Sequence, residues 1–472
     1  MKDDDRSITL TINLPKNIGD INTLTELCLT FAQKCLEAII QALDDELVKK
    51  KPKGWRHAGK RWRTISTRVG DIRIHRRLYV KATKSKKQRG RFLLDEELNI
   101  QPHRRVTHGL LKLMVAAATR LPFREVAKML EEAGFPALSH TTIHKEVRHY
   151  GLLQKKELEQ MRDILFLAGK EVGEDAKKKR LPILFLEADG VMIKCQGVKE
   201  KRFELKMGVV YEGWEKVGAG RKLKNPRVMV GLFANGAKFW ETFTAALAKI
   251  YDLEDTLIII NGDGATWIQD TAKEYFPRAI VQIDRFHLVR DLRLAMGKPG
   301  ADRLLEILTK GKLKVFVDTL ISMEPCIPVE KMKIYKKLCN FSQKYPEQLL
   351  DYRRRIGYEY KGIRLYGMGI AETMVDKKVA NRMKKRGMRW SKEGAMAMAG
   401  LLMLRGNGQL FAWLDAHTEE DIQNPVKKWR NIIKNKVTVD PEASLRAKMP
   451  VLNTGEPWVQ VLREISRIPF TA

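Results

Sequence analysis

Residues 181–194, LPILFLEADGVMIK, and 256–265, TLIIINGDGA, decide how this chain is read. Leu181–Lys194 is a strongly apolar strand that nevertheless carries Asp189, with Glu187 two residues earlier and so on the same strand face. An isolated carboxylate among Leu, Phe and Ile is costly unless it is paired, hydrogen-bonded or bound to a cation. In the second stretch Asp263 ends an equally apolar strand, Thr256–Asn261, and a glycine follows each aspartate, which lets a substrate backbone approach closely. Around these two strands the pattern predicts strands at Phe203–Tyr211, Arg227–Phe233 and Ala279–Ile283. Helices are expected at Lys238–Tyr251 and from about Ala265. Where the first and fourth strands are neighbours, Asp189 and Asp263 come side by side, and two carboxylates held together repel unless a divalent ion lies between them. The plainer alternative is that each aspartate caps the turn that follows it.

A third carboxylate belongs on a helix packed against that sheet. Glu372, in Gly367-Met-Gly-Ile-Ala-Glu-Thr373, begins a predicted helix continuing through Val379 and Met383. Asp376, one turn along the same face, is its rival, and Glu187 is the rival for the first position. The run Asn381–Trp390, NRMKKRGMRW, follows with five cations and a tryptophan. A metal-binding carboxylate followed by such a run suits a site that also holds DNA phosphates, with Lys384, Lys385, Arg386 and Trp390 as the contacts.

The rest of the chain agrees in charge. Its 472 residues carry 88 Lys or Arg against 57 Asp or Glu, a formal charge of +31, and 44 % hydrophobic residues. That suits a globular chain of several domains with a polyanionic partner. It excludes a disordered tail, a disulfide mini-protein and a collagen-like rod. No apolar run approaches the ~18 residues of a membrane span, and MKDDDRSITL lacks the charge pattern of a signal peptide. Cys28, Cys35, Cys195, Cys326 and Cys339 form no CxxC pair, which argues against a thiolate zinc site and fits buried thiols in a reducing cytoplasm.

The charge is densest in residues 51–91, with sixteen Lys or Arg against the single acid Asp71. Within it, RWRTISTRVGDIRIHRRLYV reads as two alternating strands around Gly70-Asp71. Such a ribbon suits a phosphate backbone, with Arg61, Arg63, Arg73, Arg76 and Arg77 as contacts. Further along, Pro122 opens a helix carrying Val126, Met129 and Leu130, Gly134-Phe-Pro136 breaks it, and Ser139 is placed to cap a second helix that Gly151 ends. Ile143, Val147 and Tyr150 should face inward. His140, Thr142, Lys145, Arg148 and His149 are left outside, as a helix reading the major groove requires.

Together Leu186-Glu-Ala-Asp-Gly-Val191, Asn261-Gly-Asp-Gly-Ala-Thr-Trp-Ile268, Ile283-Asp-Arg-Phe-His287 and Arg382–Gly394 resemble the ISLre-type bacterial insertion-sequence transposases, DDE enzymes similar to the mutator-type group. The resemblance implies an α/β, RNase H-like catalytic core with a helical insertion before the glutamate helix. It implies Asp189, Asp263 and Glu372 as the metal triad, and Asp284 with His287 as the accompanying D-x-x-H motif. Mg²⁺ or Mn²⁺ would be the cofactor, and the activity cleavage and joining of double-stranded DNA by a homo-oligomer bridging element ends and target. The expected organisation is an N-terminal helical segment (1–50), a basic hairpin (51–100), and a helix-turn-helix region with linker (101–180). The catalytic core follows (181–410, insertion at about 288–365), then a tail (411–472). The protein is expected in the bacterial cytoplasm, at the nucleoid. A nuclease of the same fold without strand joining, or a decayed transposase that only binds DNA, are the alternatives.

Overall fold

The structure, a computed structural model, describes residues 20–81, 90–102, 104–173, 178–197, 201–385 and 387–419. It is a mixed α/β protein. Residues 8–14, ITLTINL, whose alternation predicts a short strand, and the chain beyond residue 419 lie outside the described residues. Helix α1 (Ile21–Glu46) starts where the Asp20 side chain accepts the Thr23 N–H at 2.8 Å. It packs on a hairpin of β1 (Trp55–Thr67) and β2 (Gly70–Lys81). The turn residues are Arg68-Val69, two positions before the expected Gly70-Asp71, and Gly70 opens β2 at φ +125, which side-chain-bearing residues rarely adopt. Ile65, Ile72 and Ile74 bury their side chains with Ile40, Leu47 and Leu94 in a small core of their own. Along β2, Glu37 accepts the Arg73 N–H at 2.8 Å and Asp44 the Arg77 N–H at 3.2 Å. Helix α1 thus covers an edge that would otherwise pair with another chain.

Next come α2 (His108–Ala118), α3 (Phe123–Glu132) and α4 (His140–Phe166). As the sequence predicts, Pro122 precedes α3, Ser139 caps α4 by accepting the Thr142 N–H at 3.1 Å, and Ile143, Val147 and Tyr150 are buried. Gly151 does not end the helix. It lies mid-way along α4, where an added Cβ would sit 2.1 Å from the Ala397 carbonyl oxygen. A glycine often stops a helix, but here it lets two helices cross almost backbone to backbone.

The sheet is built from β3 (Ile183–Lys194), β4 (Arg202–Tyr211), β7 (Arg227–Gly231), β8 (Leu257–Gly262) and β9 (Ile280–Ile283), after a small hairpin of β5 (Trp214–Val217) and β6 (Gly220–Leu223) has intervened. Its order is β9-β8-β3-β4-β7, with β8 and β9 parallel to β3 and the β3–β4–β7 portion antiparallel. Helix α5 (Gly236–Ala248) closes one side, Phe243 pressing where Gly208 has no Cβ. The helices α6 (Arg285–Thr309), α7 (Leu313–Ser322) and α8 (Met332–Lys344) form a separate apolar cluster around Leu292, Phe316 and Tyr335. The chain then returns through the short α9 (Ala371–Val375), whose helical course continues to Met383 by way of a π turn at Asp376–Ala380. Helices α10 (Lys392–Gly406) and α11 (Leu410–Glu419) complete the described residues.

One continuous core joins α2–α4, the sheet, α10 and α11, from Leu110 and Tyr150 through Phe185 and Ile259 to Met398 and Leu414. The expected division at residue 180 is therefore no break in the core, and residues 410–419 are docked on it. The cysteines are unpaired, with Cys28 and Cys326 exposed and the others half-buried, so none is the fully buried thiol expected. Among the described residues no helix is long and apolar enough to cross a membrane.

Candidate functional site

Strands β3 and β8 pair in the register Asn261 opposite Glu187 and Gly262 opposite Ala188. Asp189 follows on β3, and Asp263 is the first residue past the end of β8, so the two leave the last paired level, Gly262 with Ala188, on neighbouring chains. Gly262 is opposite Ile283 on β9, so Asp284 continues the row. Asp189 accepts the Gly190 N–H at 2.7 Å, and Asp263 accepts the Ala265 N–H at 2.9 Å across Gly264 (φ +86). Asp284 does what a capping aspartate does, accepting the N–H groups of Phe286 and His287 at the start of α6 at 3.0 and 3.2 Å.

Burial, and next the charge of Asp263, push the Asp189 carboxyl up to about 6; Glu372 adds to the rise, while the Gly190 N–H and His287 oppose it. The two aspartates, Glu372 and His287 are thus electrostatic neighbours. Glu372 is exposed in the first turn of α9, whereas Asp376 is engaged by Lys385 at 3.0 Å. Among the described residues no three His, Cys, Asp or Glu side chains close up far enough to enclose an ion. His287 gives Nδ1 to Asp284 at 3.2 Å, and this bond, with the charges of Asp284 and Asp189, raises its pKa. Against burial, hydrogen bonds from His287 and Asn261 hold Asp284 below the usual carboxylate range.

Glu187, on the Asp189 face, is fully buried. It accepts the Tyr211 hydroxyl at 2.8 Å, the Asn261 amide at 3.2 Å, and the backbone N–H groups of Gly369, Ile370 and Ala371 at 2.8–3.1 Å. Burial pushes its carboxyl up, and those donors pull it back. Asn261 also donates to Asp284 at 2.8 Å and accepts from Gln282 at 2.9 Å. The sequence shows Glu187 only as a rival ligand and misses Asn261, whose signal was its place in the Asn-Gly-Asp-Gly turn.

The cations divide. Arg63 and Arg76 turn inward onto Asp95, Arg63 at 2.8 Å, and Arg77 reaches Asp44 at 2.7 Å and Asp45 at 2.6 Å. These three do not project to solvent as the alternating pattern predicts, because acids from α1 and residue 95 claim them. Arg61 and Arg73 are exposed. Beside them Trp62, 60 % exposed, stacks on His75 with centroids 4.3 Å apart and Arg73 5.2 Å from its ring, a group the sequence reading missed. On α4, Lys145 is exposed, Thr142 is tied to Ser139 at 2.9 Å, His149 lies 2.7 Å from Arg104, and Arg148 is held by Glu393 at 2.7 Å. Trp390 is buried, donating to the Met383 carbonyl at 3.0 Å with the buried Arg382 over its ring, so it is a core residue and not a DNA contact. Lys384 is exposed, Lys385 pairs with Asp376, and Arg386 lies outside the described residues.

The model of the uncharacterised protein family UPF0236 matches residues 19–419. The chain belongs to UPF0236. A Streptococcus gallolyticus protein named for the region 3′ of vanSb is 27 % identical over 394 residues, 79 % of each chain. A Caldanaerobacter subterraneus subsp. tengcongensis protein is 25 % identical over 409 residues, 84 % of this chain and 79 % of its own, and its name joins eleven locus designations. Another from that organism, 24 % identical over 412 residues, joins four. All are named as UPF0236 proteins and none as a transposase. The likeness to ISLre-type transposases therefore does not stand as the family assignment. The UPF0236 match spans the ribbon, the helical region, the sheet, the insertion and α11.

Proposed function

We propose that this UPF0236 chain is a metal-dependent DNA strand transferase that cleaves phosphodiester bonds at the ends of its own genetic element and joins the freed 3′ ends to target DNA. The observation that carries this reading is that Asp189 on β3 and Asp263, just past the end of the adjacent parallel strand β8, follow the last paired residues of the two strands, with Asp263, Glu372 and His287 all acting on the Asp189 carboxyl. Three antiparallel strands followed by two parallel to the first support an RNase H-like core, and α6–α8 its helical insertion.

The donor chemistry suits Mg²⁺ or Mn²⁺, although Asp189, Asp263 and Glu372 would have to draw together to enclose an ion. The donor set is hard oxygen, and Asp189 already bears like charges that a cation would relieve. Asp189, Asp263 and Glu372 would hold it. When bound, such ions stabilise charge on the attacking and leaving oxygens of a phosphodiester. His287, its Nδ1 given to Asp284, keeps its other ring nitrogen for a phosphate oxygen or for delivering a proton to the leaving oxygen. Arg61, Trp62, Arg73, Lys145 and Lys384 are the exposed groups for DNA, and two copies would bridge the two ends.

The relatives' names add independent support. A single product encoded at eleven loci of one strain is what a self-multiplying sequence leaves behind. Such an enzyme works where chromosomal DNA is. The test mixes purified protein, Mg²⁺ or Mn²⁺, and duplex carrying both flanks of the gene. We expect nicks ending in 3′-OH and joined products. Nicks alone would reduce the reading to a nuclease, and intact DNA with either metal would overturn it.

A further inference from the structure

We infer that Glu187 is a positioning residue that fastens residues 369–371 to β3 and so sets Glu372 beside Asp189, without itself holding the ion. The inference rests on the metal-site reading above only for what Glu372 does once placed.

A carboxylate has about four lone-pair positions. On Glu187 one oxygen takes the Tyr211 hydroxyl and the Gly369 N–H. The other takes Asn261, Ile370 and Ala371, and shares Gly369. All the acceptor capacity is used, which leaves none for a cation. Asp189 is two residues along the same strand face, about 6.6 Å away. The last anchored amide belongs to Ala371, and Glu372 is the next residue. The anchor is itself braced from two strands: Asn261 on β8 spans Glu187 and Asp284, and Gln282 on β9 holds Asn261 while accepting the Tyr352 N–H at 2.8 Å. Gly369 has φ +131, a backbone conformation that side-chain-bearing residues rarely adopt, and an added Cβ would lie in van der Waals contact with an Asp284 oxygen at 3.4 Å.

The chemistry also explains why the residue is an acid. Five donors converge, and only a group with no hydrogen of its own to place satisfies them all. An amide of the same shape would set an NH₂ against N–H groups and leave buried donors unpaired.

The experiment uses full-length Glu187→Gln, with Tyr211→Phe as the milder variant that removes one donor. Hydrogen exchange of amides 369–375, measured without DNA or metal, should quicken at least about tenfold in Glu187→Gln. Mn²⁺ affinity by titration calorimetry should fall about 10- to 100-fold, as for other residues that orient a ligand from behind. Tyr211→Phe should shift both in the same direction by a few-fold. DNA affinity should change less than about twofold, and high Mn²⁺ should restore any cleavage. Unchanged exchange in both variants would overturn the anchoring, whatever the activity. Faster exchange with unchanged Mn²⁺ affinity would overturn its link to the ion. Loss of Mn²⁺ binding that excess metal cannot restore, as expected for Asp189→Asn, would make Glu187 a ligand instead. Absence of cleavage by the unaltered protein would count against the strand-transfer reading alone, since exchange and calorimetry need no turnover.

Discussion

The basic ribbon and the acidic strand ends treat their charges in opposite ways. In the ribbon, three of five arginines singled out by pattern are paired inside the fold: Arg63 and Arg76 share Asp95, and Arg77 meets Asp44 and Asp45. At the acidic site, Asp189 and Asp263 at the strand ends and Glu372 on α9 have no Lys or Arg ion pair among the described residues, and burial with the charges of Asp263 and Glu372 drives Asp189 up to about 6. Charge density in a sequence therefore does not tell which charges remain available. A charge that meets its opposite inside the fold holds the fold together. Like charges gathered without an opposite lower stability and await something from outside.

The contrast breaks most visibly at the acids. Asp189→Ala or Asp263→Ala should lower Mg²⁺-dependent cleavage by about a thousandfold or more, since several kcal/mol of transition-state stabilisation go with the ion. Binding to duplex DNA should hold, as measured by anisotropy. Substantial cleavage by either variant would remove the distinction. The ribbon should fail differently. Asp95→Ala strands two largely buried guanidiniums and should cost about 3 kcal/mol in chemical denaturation. A loss near zero would mean those arginines are as free as Arg73.

A third measurement sharpens the comparison through pH. The folded Asp189 pKa of about 6 lies above its ordinary 3.8. The folded state therefore holds this proton more tightly, and the stability it confers is complete below about pH 3.8 and lost as pH rises through 6. Asp189→Asn removes that penalty. It should raise stability at pH 8 by about 1–2 kcal/mol, discounted for partial exposure, and by only a few tenths of a kcal/mol at pH 4. Thermal melts of metal-free protein at both pH values decide this, and equal shifts at the two would assign the effect to packing.

How much of this was legible follows from where the partners lie. Asp189 and Asp263 stood out because one interrupts and the other ends an apolar run; that the two runs are neighbours was a condition of the reading, met by the pairing of β3 with β8. Pro122 and Ser139 were legible because capping is local. The inward turn of Arg63, Arg76 and Arg77 was not, because Asp44, Asp45 and Asp95 lie 19 or more residues from their partners in sequence. Glu187's donors come from positions 211, 261 and 369–371, and no spacing announces them. The β5–β6 hairpin was missed because WEKVGAGRKL is polar and largely exposed, without the alternation that marks a half-buried strand.

The exposed ribbon cations give a smaller effect. Arg61→Ala or Arg73→Ala should leave the melting temperature unchanged and lower the slope of log affinity against log salt by about one. Arg63→Ala should instead destabilise. Salt titrations and melts on the three variants separate the classes, and identical behaviour would erase the inward–outward division.

The smallest effect is the most discriminating, because Arg148 falls between the two classes. It is paired, one guanidinium nitrogen lying 2.7 Å from each Glu393 oxygen, yet both side chains are about half exposed, at 51 % and 45 %. An exposed pair of this kind is worth about 0.2–1 kcal/mol, whereas a good base contact supplies about 1–3 kcal/mol of discrimination. The base contact wins by about 1 kcal/mol, so the pairing does not bar Arg148 from DNA as burial bars Arg76. Arg148→Ala should therefore weaken binding to the element end about fivefold and to scrambled duplex less than about twofold. Glu393→Gln, which removes the competitor, should tighten end binding by a few-fold. The check is a competition titration at fixed salt. Equal weakening of both duplexes by Arg148→Ala would make α4 a packing element, and burial of the pair would no longer separate structural cations from available ones.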